Sequence, residues 1–192
     1  MLAALRPLLV NSQEHDPTQK IGFADQHFVR TDGGHGSAEV ESEAVYLTMS
    51  LRNVGAGVAV LHGWSIDADP SPSASGEHPS LGAFQRLTRD LYIAAGDVGF
   101  WQGALRDPSS HDFAAVRSAI EGRRPITIHL LYGDVEGGQR VVSRFTLLPG
   151  RADGWLASVA RHWNIDRPDP RATPAEAGGT ANSRRGIRAR RH

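Results

Sequence analysis

Residues 45–66, VYLTMSLRNVGAGVAVLHGWSI, constrain the fold of this chain more than any other stretch. Val45, Leu47, Met49 and Leu51 alternate with Tyr46, Thr48, Ser50 and Arg52. A period of two is the geometry of a strand, whose successive side chains point to opposite faces of a sheet. Asn53, Gly55 and Gly57 follow, and such residues tolerate positive φ and let a chain reverse. Val58, Val60, His62, Trp64 and Ile66 then share one parity. The stretch therefore reads as a β-hairpin with one face on a core. It specifies a scaffold and no chemistry.

The same reading extends along the chain. Residues 1–20 form an N-terminal lead-in. Residues 21–30 read as an edge strand with Phe23 and Phe28 turned inward, and residues 31–43 as a glycine-rich, acidic connection. A Pro/Ser/Gly loop occupies residues 67–82, followed by strands over 85–93 and 98–105. Ser109 and Ser110 are good helix N-caps, Phe113, Val116 and Ile120 recur at helical spacing, and Gly122 is a fitting stop, so one short helix spans about residues 110–121. Strands follow over 125–132, with Ile126, Ile128, Leu130 and Tyr132 inward, and over 139–148. Residues 155–165 fit a strand or a helix, and the turn at Asp153-Gly154 favours a strand. Short strands with one inserted helix point to an antiparallel two-sheet β-sandwich of immunoglobulin-like type over residues 21–166. Its expected core includes Leu47, Met49, Leu51, Val60, Trp64, Ile128, Leu130, Phe145 and Leu147. Residues 167–192 have almost nothing to bury and read as a disordered, Arg-rich tail.

Charge narrows the function. Lys+Arg and Asp+Glu are both 21, a balance that argues against a domain built to grip nucleic acid. Lys20 is the only lysine, and with abundant Ala, Gly, Pro and Asp this matches the codon preference of a high-GC bacterial genome. With no cysteine there is no disulfide, thiolate metal site or cysteine nucleophile. No apolar run reaches the roughly 18 residues of a membrane helix, so the chain as given reads as soluble.

Candidate chemistry is sparse. His62 shares the parity of Val60 and Trp64 and should point inward, whereas His129 has the opposite parity to Ile128 and Leu130. A hydrolase or metal-dependent enzyme using His62 and His129 needs a third group that no spacing supplies. Asp134 and Glu136 read as a solvated turn, as do Asp67 and Asp69, because calcium wants about six to eight oxygens. No nucleophile elbow, phosphate loop or zinc-helix motif occurs. No cofactor and no metal is expected. The tail SRRGIRARRH offers a nucleic-acid contact, but its arginines lack interleaved aromatics and read as solvated. Phe100 and Trp101 are adjacent and must face opposite ways on a strand. One should fill the core while the other, with Tyr92, offers a binding anchor unless the helix covers it.

The strings LRNVGAGVAVLHGW, RDLYIAAGDVGFWQGALRDP, LLYGDVEGGQRVVSRF and RHWNIDRPDPR resemble a family of uncharacterised high-GC bacterial proteins, over about residues 45–171. The resemblance implies no activity and no catalytic residue. It implies a soluble domain placed after one or two hydrophobic helices, with a segment like Arg6-Pro7-Leu8-Leu9 just beyond the membrane. Residues 1–10 would then end a membrane segment that begins upstream; alternatively residues 8–10 form a short edge strand. The expected function is a non-catalytic β-sandwich that binds a protein or envelope component near a membrane.

Overall fold

The computed structural model describes residues 5–68 and 76–172. Among them are eleven strands and one α-helix: β1 (Leu9–Asn11), β2 (Gln19–Gly22), β3 (Phe28–Thr31), β4 (His35–Val40), β5 (Val45–Asn53), β6 (Ala59–Asp67), β7 (Gln85–Ile93), β8 (Val98–Leu105), α1 (His111–Glu121), β9 (Ile126–Gly133), β10 (Arg140–Pro149) and β11 (Trp155–Asn164). The fold is mainly β and every ladder is antiparallel. Nine strands make one continuous sheet in the order β8-β5-β4-β11-β10-β9-β6-β7, with β1 beside β4 on the same edge of β5. That sheet curls into a half-barrel around its core. Strands β2 and β3 form a separate hairpin.

The two arms read as a hairpin are both strands, yet they do not pair. β5 pairs with β1, β4 and β8, while β6 pairs with β7 and β9. The loop between them crosses from one limb of the curl to the other. Gly55 and Gly57 are absent from the positive-φ positions. They serve close approach instead: a Cβ at Gly57 would lie 1.8 Å from Leu5 O, and one at Gly55 2.3 Å from Arg6 O. The fully buried Asn53 organises this crossing. Its Oδ1 accepts from Leu8 and Gly55 N–H, and its Nδ2 donates to Gly57 and Ile93 O. Four bonds satisfy a buried amide completely, so its desolvation is offset.

Several short elements escape hydrophobic patterning. The expected edge strand over 21–30 is the β2–β3 hairpin, with Phe23 inside and Phe28 57 % exposed beneath the Lys20 ammonium. Strand β4 lies inside the expected glycine-rich connection, and β1 inside the lead-in, where Leu9 is fully buried. Leu9 and Val10 thus lie in a short strand, as the edge-strand alternative has them, while Leu8 precedes it. No described helix is long and apolar enough to cross a membrane.

Burial follows parity where the ladders are regular. All nine expected core residues are buried. The β2–β3 hairpin covers the outer face of β5, so Tyr46 joins Ile21, Phe23 and Val29 in a second cluster. Helix α1 starts where Ser110 Oγ accepts from Phe113 N–H and packs Phe113, Val116 and Ala119 into the main core. Its left-handed end residue is Arg123, not Gly122, and the Arg123 guanidinium lies over Trp155, donating to Gly150 and Gly154 O. Trp64 of β6 and Trp101 of β8 meet edge-on, ring centroids 5.3 Å apart, and tie the two ends of the curl together. Gly103 is required beside them, because a Cβ there would lie 2.6 Å from Trp101.

Trp64→Ala and Trp101→Ala should each cost about 3–5 kcal/mol, as emptied core aromatics do. Since the rings touch, the double variant should lose less than the sum of the singles. Urea denaturation measures both, and strict additivity would show that the rings act independently.

Candidate functional site

Two β-bulges decide which polar groups face outward. In β6 the register shifts between Leu61 and Gly63. Leu61 therefore joins Trp64 in the core, while His62 is exposed and not inward as its parity with Trp64 suggests. In β11 the register shifts beside Arg144/Phe145, which pair with Arg161 and Val159 and leave Ala160 unopposed. Trp155 and Ala157 stay in the main core, whereas Arg161 and Trp163 emerge on the outer face with His129, Leu131 and Val142.

The residues singled out from sequence do not converge. Trp101 is fully buried, and Phe100 is half-buried beneath Arg89 and the β2–β3 hairpin rather than α1. Tyr92 is exposed on β7 and bonds to Asp90. His62 sits over Gly133, four residues along β9 from the buried His129, so the two histidines do not share a site. Asp134 caps its own turn, accepting from Gly138 and Gln139 N–H, and no group of three metal-binding side chains occurs among the described residues. Asp69 and the SRRGIRARRH tail lie outside the described residues. Residues 167–172, expected to begin the disordered tail, make specific contacts: Arg171 donates to Asp169 and to His162 O.

One polar relay has catalytic-like spacing. Ser143 Oγ lies 2.6 Å from His162 Nδ1 and 2.8 Å from the Tyr132 hydroxyl, which also accepts from Leu9 N–H. Burial pushes the Tyr132 hydroxyl up to about 12 and holds His162 below its usual range. A nucleophile must meet its substrate, and Ser143 is fully buried. The relay's work is to satisfy the Tyr132 hydroxyl inside the curl and anchor β1.

The site with open chemistry is the groove over the outer face of β11, about 810 Å³, between residues 76–81 and 161–172. Its floor is Trp163, only 4 % exposed. The guanidiniums of Arg144, Arg161 and Arg171 lie 5.0, 5.8 and 5.9 Å from its ring centroid, and His78 approaches it edge-on. Cations are drawn to an indole face within about 6 Å. Gly76 O accepts from both Trp163 Nε1 and Arg161 Nη1, so one carbonyl fixes indole and guanidinium together. Arg144 donates through Nη2 to Glu77 O and through Nε to His129 Nε2. The second bond fixes the His129 tautomer, since an accepting Nε2 leaves the proton on Nδ1. There it has no acceptor among the described residues. Burial, with Arg144 and His78 nearby, pushes His129 down to about 4, and burial with Arg161 also lowers Arg144. At one rim Asp166, held down to about 2 by the Arg6 guanidinium, clasps the N-terminal segment to the end of β11. The groove presents pre-ordered guanidiniums and no nucleophile–base pair. Pattern reading missed it because Trp163 has the parity of Trp155, and only the bulge separates them.

The chain matches no protein-family model, and no curated protein matches it.

His129 supplies a pH test. It is neutral when folded down to about 4, whereas the unfolded imidazole protonates near 6.5. Between these values the unfolded state binds the extra proton, so stability falls as pH drops from about 6.5 to about 4. Urea denaturation at pH 7 and pH 4.5 should show a smaller acid loss for His129→Gln than for the native chain. Equal losses would place the titration elsewhere.

Proposed function

We propose that the chain is a non-catalytic binding domain that takes an anionic partner in the groove around Trp163. The partner is a protein or envelope component, met near a membrane if the placement implied by the family resemblance holds, and the scaffold is a β-sandwich of immunoglobulin-like type. Its two layers would be the limbs β8-β5-β4 and β11-β10-β9-β6-β7, whose strands are linked by the short β4–β11 ladder and which enclose the core between them.

The observation that carries this reading is the set of guanidiniums held against one buried indole at the edge of an open groove. Arginine ordered before binding loses little entropy on binding, and its planar fork matches oxyanions. Nucleic acid is the weaker partner: Glu77 and Asp169 interrupt the cations, and the chain is neutral overall. An enzymatic role through Ser143 and His162 is disfavoured by the complete burial of Ser143.

Poly-L-glutamate, titrated at low ionic strength and followed by tryptophan emission, tests the reading. Arg161→Ala with Arg171→Ala should weaken its binding by at least about tenfold, the size expected for lost charged hydrogen bonds. Ser143→Ala should bind like the native chain. No binding by the native chain, or unchanged binding by the arginine variant, would overturn the proposal.

A further inference from the structure

We infer that the natural occupant of the Trp163 groove is a protein segment pairing one acidic side chain with a neighbouring apolar one. This rests on the binding-domain reading and narrows its anion to a peptide carboxylate.

The charge pattern of the groove is the first support. Arg161, Arg167 and Arg171 share its lining with Glu77 and Asp169. Asp169 is already taken by Arg171 at 2.8 Å. The near balance leaves room for a single negative charge. A polyphosphate would bring each further charge against Glu77 and Asp169, and strong binding of such polymers needs one cation per phosphate.

The second support is unused donor capacity in a fixed place. Among the described residues Arg161 donates one hydrogen bond, from Nη1 to Gly76 O, while its position over Trp163 holds the guanidinium plane. Arg167 is exposed and forms a long ion pair with Asp166, 3.7 Å from Nε, with no hydrogen bond in it. A carboxylate accepts two parallel N–H bonds from such a fork, and that charge-assisted geometry is about twice as strong as a neutral pair.

The third support is apolar surface in the same groove. Leu81 is 43 % exposed and lines it together with Ile165. A simple anion would leave these side chains wet, whereas a segment carrying Leu, Ile or Val beside its acid covers them. Ordered Trp and Arg beside small apolar contacts is the composition of protein-binding hot spots.

The test uses the full chain, labelled with 15N and observed at the Trp163 indole N–H and the Arg161 side chain. The probe is the blocked peptide Gly-Leu-Glu-Leu-Gly. It should give a saturable shift at both groups. Replacing its Glu by Gln should weaken binding at least about tenfold, as loss of a charged hydrogen-bond partner does. Replacing both Leu by Ser should weaken it several-fold. In the protein, Arg161→Lys should lose most of the affinity, because it keeps the charge but not the fork. Arg117→Ala, which removes a charge on α1, should change nothing. Equal binding of the Glu and Gln peptides would overturn the inference. So would larger shifts of the same groups with inorganic phosphate or phosphatidylserine vesicles, which would keep the anion-binding groove and change its occupant. No shift with any of these probes would remove the groove as a binding site altogether.

Discussion

A single unopposed residue in the last described strand, Ala160, sets the polarity of one whole face of this molecule. A strand has a period of two, so one extra residue exchanges its inner and outer sets from that point onward. Before Ala160, Trp155 and Ala157 pack in the main core; after it, Arg161 and Trp163 stand outside. An indole on the outer face of a sheet must be covered. Here the cover is made of guanidiniums and of residues 76–84, through Gly76 O, His78 and Phe84. The neutrality of His129 and the lowered pKa of Arg144 follow from that cover. Without the bulge Trp163 would compete for space inside the curl, and no groove would exist.

Stability is shared between the two sides of the sheet. The main core fills the curl, while smaller apolar clusters lie on its outside under the β2–β3 hairpin and around Trp163. Polar groups inside the curl are few and mostly paired; among the described residues the buried Trp101 Nε1 has no hydrogen-bond partner. Tyr132, Ser143 and the backbone of Leu9 form one satisfied set, and Asn53 with its four bonds forms another. Each would cost about 1–3 kcal/mol if left unpaired, so both sites resist substitution more than their small size suggests.

Alternating segments were legible because their ladders are regular. Leu47, Met49 and Leu51 in β5, and Ile128 and Leu130 in β9, keep one parity from end to end and all reach the core. The helix was legible from its Ser110 cap and the spacing of Phe113 and Val116. What stayed hidden is long-range. Nothing local states that β5 pairs with β8 and β6 with β9, because adjacent alternating strands look the same whether or not they pair with each other. Strand β1 has only three residues, and β4 is short and mostly polar, so neither shows a period. Bulges leave no mark in composition, so parity alone puts His62 on the wrong face and Trp163 on the same face as Trp155.

The narrow β4–β11 junction has a consequence for how the chain comes to be folded. It comprises two residue pairs, Trp155 with Gly36 and Leu156 with His35, supplemented by Ala157 N–H on Gly34 O and Val159 N–H on Asn11 Oδ1. These partners are separated by about a hundred residues or more, so during synthesis β4 must wait, one edge bare, while six further strands emerge. Bare edges recruit strands from other molecules. β4 is a poor recruit, short and carrying His35, Gly36, Ser37 and Glu39 in place of an apolar run. The weakness that concealed it from pattern reading is what lets a nascent chain hold that edge open without aggregating.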